Sequence, residues 1–286
     1  ENQAELGDQL DYGARFYDAE IARFNVIDRF AEKYYSMTPY QYGGLDPIKH
    51  IDINGDSLYV THRTGFLGLG GKQTLRYEGG NLYNKDGSAY TGRVKGFLGK
   101  AVNALRAMSS TSEGGAMVSE LESSSNHFTI VKSSGSRFVR DPGGTMQAFA
   151  NQLRTDPAQT HVFQSLQSQG VNLSGGTGGI IEWNPSGVML PTLNGAMRNG
   201  TVELGHEMFH ALDANRGLLD DRVEQGVKRD EWQAVYRENM LRSQMRLPLR
   251  THYIKNVNSD GSFIGGTGPR LLTPANRPLL PNWYTP

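Results

Sequence analysis

Hydrophobic positions change period along the chain. GKAVNALRAM, 99–108, carries Val102, Leu105 and Met108 at the three- and four-residue spacing of an amphipathic helix. RYEGGNLYNKDGSAYTG, 76–92, alternates aromatic or aliphatic residues with Gly-Gly and Asp-Gly turns, which predicts a hairpin. NHFTIVKSS reads as a strand, TMQAFANQLR as a helix, and GGIIEWNPSGVMLP as a strand or hairpin. Helical spacing returns over 201–216, with Thr201 as N-cap, Glu203 in the first turn and Gly217 as the stop. A last helix is predicted over 228–245, with Glu231, Val235, Glu238, Leu241 and Met245 along one face. The mixture predicts an α+β fold.

Residues 11–56 are rich in aromatics and turn residues and predict short strands joined by tight turns. After residue 56 the composition shifts to Gly and Ser, and GFLGLGG, 65–71, looks like a linker or apolar turn. We therefore divide the chain into 1–56 and 57–286.

A 286-residue chain that is 37% hydrophobic can bury a substantial core. Lysines plus arginines and aspartates plus glutamates both number 29, so no net field draws the chain to nucleic acid or anionic membrane. The absence of cysteine excludes disulfides and thiolate metal sites, so any transition-metal site must use histidines and carboxylates. No apolar run is long enough to span a membrane, and the polar start ENQAELGDQL is no signal peptide. The missing initial Met suggests a piece of a longer protein whose export signal lies elsewhere.

The chemistry concentrates in GHEMFHAL, 205–212. Residues four apart on a helix stack on one face, so His206 and His210 can aim their rings at one point, with Glu207 near enough to hold a water there. Val202, Met208, Phe209 and Leu212 are left for the core, and Gly205 lets another backbone pass closely. Catalytic zinc takes three protein ligands and an open position, so a third ligand is needed downstream. Glu231 and Glu238 share a face but stand about 10 Å apart along the axis, so only one can bind. We prefer Glu231, with Glu238 as the alternative; Asp213, one turn beyond His210, is better placed to accept a hydrogen bond from a ligand's second ring nitrogen. Arg250 and Tyr253 could stabilise the oxyanion that peptide hydrolysis creates. His252 is a rival ligand that we rank below Glu231, because it lies between them and in an extended segment faces away from Tyr253.

Two resemblances add to this reading. DYGARFYD, the pair Arg23-Phe24, AEKY, SMTPYQY, DPIKHID and Asn54-Gly55 resemble the conserved end of Rhs/YD-repeat cores over about 45 residues. In that family the segment closes a β-shell around a C-terminal toxin. Ile27-Asp28-Arg29, Gly44-Leu45-Asp46 and Ile53 depart from the usual pattern. GHEMFHALD, with EWQAVYRENMLRSQMRLPLRTHY at 231–253, resembles effector-type zinc metallopeptidases, a class that includes type III-secreted peptidases of bacterial pathogens. The spacing from His210 to Glu231 is similar to that of thermolysin-like zincins, and Arg250-Thr-His-Tyr253 has the Arg-x-x-Tyr form of clostridial neurotoxin light chains.

These resemblances imply a zincin-like α+β toxin domain with its HExxH helix on a small mixed sheet, preceded by a β-rich remnant of an Rhs core. They imply a Zn²⁺-dependent endopeptidase, secreted and delivered to a target cell, with a protein substrate there, a cognate immunity protein and an Rhs β-shell as partners. His206, His210 and Glu231 would hold zinc, Glu207 would act as general base, and Arg250 and Tyr253 would serve the oxyanion. The substrate strand would add to a sheet edge, for which GGIIEWNPSGV is the candidate. A different class remains open: a non-catalytic interaction domain that docks a partner.

Overall fold

The computed structural model describes residues 9–11, 16–18, 23–24, 58–65, 70–141, 161–162, 164–165 and 176–284. The chain forms two compact units, Glu1–Asp56 and Ser57–Pro286. In the first, β1 (Gln9–Asp11), β2 (Phe16–Asp18) and β3 (Arg23–Phe24) make an antiparallel three-stranded sheet. The variant positions 27–29, 44–46 and 53, with Asn54-Gly55, lie outside the described residues, as does the predicted helix TMQAFANQLR.

The second unit is built on a six-stranded mixed sheet. Its members are β4 (Leu58–Arg63), β5 (Lys72–Glu78), β6 (Asn81–Tyr83), β7 (Phe128–Lys132), β8 (Arg137–Arg140) and β9 (Gly179–Trp183), in the order β6-β5-β4-β7-β9-β8. β4, β7 and β9 run parallel and the other pairings are antiparallel. Alternation along each strand sends one set of side chains inward: Leu58 and Val60, Leu75 and Tyr77, Phe128 and Ile130, Ile181 and Trp183 are all buried. The predicted hairpin is β5 and β6, turning at Gly79-Gly80, where both residues take positive φ.

Helices cover the inward face. α1 (Gly96–Ser109) lays Leu98, Ala101, Val102, Leu105 and Met108 on the sheet. α2 (Ser112–Glu122) is capped by Thr111, whose hydroxyl accepts the Gly114 N–H at 3.0 Å. α3 (Gly200–Arg216) passes beneath β8 and β9 and against α1, α2 and α4 (Arg229–Gln244).

Three antiparallel strand pairs complete the described part of this unit. They are β10 (Leu190–Thr192) with β11 (Gly195–Met197), β12 (Val223–Glu224) with β13 (Val227–Lys228), and β14 (His252–Val257) with β15 (Phe263–Arg270). No helix among the described residues is long and apolar enough to cross a membrane.

Three local expectations need correction. The N-cap of α3 is Asn199, whose side chain accepts the Val202 N–H at 3.0 Å, so the helix starts earlier than Thr201 implies. Gly205 admits side chains, not a backbone: a Cβ there would meet Leu241 Cδ2 at 2.7 Å and Met108 Sδ at 3.1 Å. GGIIEWNPSGV does not form an edge, because β9 is paired on both sides; the terminal strand is β8. Its apolar run fits a doubly paired strand, and the run alone could not place it in the sheet order.

Candidate metal centre

α3 ends at Gly217, whose left-handed φ of 74° lets its N–H turn back onto the Ala214 carbonyl. One turn apart on this helix, His206 and His210 bring their Nε2 atoms to 3.3 Å, the rings nearly perpendicular at 83°. α4 opens with Asp230 and Glu231 in its first turn, where carboxylates favour the positive helix end. Glu231 thereby reaches the pair: its Oε2 lies 3.2 Å from His206 Nε2 and 3.4 Å from His210 Nε2. All three candidate ligand atoms lie within 4.8 Å of one another.

The three converge at a pocket of about 370 Å³, lined also by Glu203, Glu207, Asp230, Tyr253, Arg250, Ser136 and the β8 residues Arg137, Phe138 and Arg140. Burial depresses the His206 imidazole, but hydrogen bonds to Glu231 and Glu238 outweigh it and hold the ring well above its ordinary value. Burial likewise works against His210, which the Glu231 carboxylate raises overall. Burial would raise Glu231, yet the two imidazoles hold it far below the usual carboxylate range. Glu207, packed into the wall, is pushed up by burial.

Glu238, the alternative ligand, meets His206 from behind. Its Oε2 lies 3.0 Å from Nδ1, while Glu231 addresses Nε2. The two glutamates thus take opposite edges of one ring, which spans the separation along α4. Glu238 is fully buried between two guanidiniums, with Arg242 Nε at 2.7 Å and Arg250 Nη1 at 2.9 Å, and they hold it below the carboxylate range against the pull of burial.

Asp213, expected to accept from a ligand's second ring nitrogen, instead faces Tyr284, and at His206 that nitrogen is met by Glu238. It is buried facing the Tyr284 hydroxyl at 3.5 Å, and burial raises it to about 6 despite Arg237. His252 stays away from the cluster, its Nδ1 beside Thr251 Oγ1 at 3.1 Å.

Arg250 is buried, and each of its three nitrogens already has an acceptor: Glu238, the His252 carbonyl at 3.4 Å and the Tyr253 carbonyl at 2.8 Å. Tyr253 lines the pocket, and burial and the nearby Glu231 carboxylate raise its phenol. Sequence reasoning missed Asp230 and Tyr284 as neighbours of the site. It also left Glu203 as a first-turn residue, although three residues before His206 it falls on the same helix face. Tyr284 gives no local signal, because 71 residues separate it from Asp213.

Fold and site together define an α+β domain with a His-His-Glu group able to hold a metal at a pocket. The chain matches the Peptidase_M91 family, described as effector protein, over residues 84–253, more than half of its length, and belongs to that family. It is an effector peptidase. No curated protein and no solved structure matches it. The matched span contains every residue of the pocket and ends at Tyr253.

Proposed function

We propose that residues 57–286 form a zincin-like, zinc-dependent endopeptidase, the toxic effector domain of an Rhs-type polymorphic toxin, and that 1–56 is the end of its Rhs core. The observation that carries the reading is the convergence of His206, His210 and Glu231 on one point, with Glu207 in the same pocket. Two imidazoles and one carboxylate, with the pocket on the open side, suit catalytic zinc and suit magnesium or calcium poorly. Zinc bound there would supply Lewis acidity, acidifying water and polarising a peptide carbonyl.

The protein's own groups do the rest. Glu207 takes a proton from the attacking water at its carboxylate; when the C–N bond breaks, it passes that proton to the leaving nitrogen. The Tyr253 hydroxyl donates to the oxygen that gains negative charge. Arg250 lines the same pocket and, with five N–H groups and three acceptors, keeps donors that can serve the oxyanion beside Tyr253; its positioning contacts are taken up below. An extended substrate would lie along β8, whose residues line the pocket and whose outer edge is unpaired among the described residues. The substrate would be a protein of the target cell reached after secretion, and an immunity protein and the parent β-shell would restrain the domain beforehand.

The test is metal content followed by N-terminal profiling of target-cell proteins. We expect one zinc per chain and new N-termini that vanish with Glu207→Gln. A chain that takes up no zinc after refolding with it would leave the interaction-domain reading.

A further inference from the structure

We propose that Glu238 and Arg250 are positioning residues that join the metal-facing ring of His206 to the backbone of Tyr253. The proposal rests on the zinc-peptidase reading and concerns what holds its parts in register. Glu238 Oε2 is shared: it accepts from His206 Nδ1 at 3.0 Å and from Arg250 Nη1 at 2.9 Å. From the other side, Arg250 Nη2 holds the Tyr253 carbonyl at 2.8 Å, and its guanidinium carbon lies 5.1 Å from the centroid of the Tyr253 ring. Glu231, which lies 3.2 Å from His206 Nε2, lines the same pocket as Tyr253. The contacts therefore form a chain: His206, Glu238, Arg250 and the backbone of Tyr253.

Three features distinguish this chain from ordinary packing. A proton kept on Nδ1 by Glu238 leaves the Nε2 lone pair facing the pocket, which selects the tautomer a metal needs. Arg250 is itself fixed, since Asn239 brackets its main chain, accepting its N–H at 2.7 Å and donating to its carbonyl at 3.0 Å. Arg242, which also holds the Pro248 carbonyl at 3.2 Å, gives Glu238 a second cation, so its charge stays compensated in a fully buried place. A guanidinium is required at 250 because its planar fork addresses the carboxylate and the carbonyls in different directions.

The full 286-residue chain can be tested as wild type, Glu238→Gln, Arg250→Lys and, as a control, Arg216→Gln, which breaks an ion pair with Glu120 away from the pocket. Zinc affinity is read by chelator competition, site geometry by the visible absorption of the Co²⁺-loaded chain, and the His206 Nδ1 proton by NMR of the metal-free chain. Glu238→Gln should weaken zinc binding about 10- to 100-fold, alter the Co²⁺ spectrum and shift or lose the Nδ1 proton. Arg250→Lys should weaken zinc binding by roughly 3- to 10-fold, because charge remains but the fork is lost. The control should change none of these readouts. A folded Glu238→Gln with wild-type affinity and spectrum overturns the proposal. If that variant does not fold, an unchanged affinity and spectrum in Arg250→Lys overturns it instead. A wild-type chain that binds no zinc but shows the Nδ1 proton, lost in Glu238→Gln, would sink the peptidase reading and leave the relay standing.

Discussion

α1 and α3 lie side by side in the same core and are buried in different ways. α1 buries one stripe, Leu98, Ala101, Val102, Ala104, Leu105 and Met108, and turns Lys100, Asn103 and Arg106 to solvent. α3 is buried without interruption from Val202 to Ala214, and that run includes Glu203, His206, Glu207, His210 and Asp213. Burying ionisable groups opposes folding unless each finds a partner. The first helix is explained by the stability it contributes; the second carries groups that stability alone would not select. The difference locates the chemistry without reference to any motif.

The largest effect that could break this comparison is expected from Glu207→Gln. If the polar residues of α3 are there for catalysis, turnover of a peptide identified by profiling should fall about 10²- to 10⁴-fold with zinc content unchanged. Retained turnover would return Glu207 to the structural class of α1. Next is Leu105→Ala, which removes a fully buried side chain of α1. Denaturant unfolding should show a loss of about 2–5 kcal/mol while zinc affinity stays at the wild-type value; a comparable loss of affinity would mean the two helices are not separable.

Tyr253→Phe asks whether the chemistry extends beyond α3. A kcat lowered by about 10- to 1,000-fold at constant KM supports the oxyanion role, whereas a change in KM alone makes the hydroxyl a substrate contact. The smallest effect is expected at Asp213, whose folded pKa of about 6 lies above its ordinary value because of burial. A carboxyl raised on folding contributes stability below its unfolded value, near pH 4, and that contribution is lost as pH rises through 6. Between pH 4 and 7 the unfolding free energy should therefore fall in the wild type relative to Asp213→Asn by roughly 2–3 kcal/mol. Parallel pH profiles for the two proteins would show that Asp213 is not the titrating group.

Much of the second unit was legible from local pattern. Alternation marked the β5–β6 hairpin, NHFTIVKSS read as the strand β7, period 3.6 marked α1, α3 and α4, and Gly217 marked the end of α3 because a residue tolerant of positive φ fits there. The same locality explains the misread positions. The place of β9 in the sheet order depends on β7 and β8 together, and the space at Gly205 is filled by Leu241 from another helix.

The histidine pair and Glu207 are a property of the sequence, because helical periodicity puts residues four apart on one face wherever the helix is placed. Which carboxylate faces the pocket is not, since Glu231 and Glu238 lie on the same face of α4 and periodicity cannot rank them. Only the crossing of α4 over α3 decides it, setting Glu231 at Nε2 on the pocket side and Glu238 at Nδ1 behind. Arg250 was chosen from sequence for its charge, but what a guanidinium does depends on the acceptors the fold brings to it, and here those are Glu238 and two backbone carbonyls.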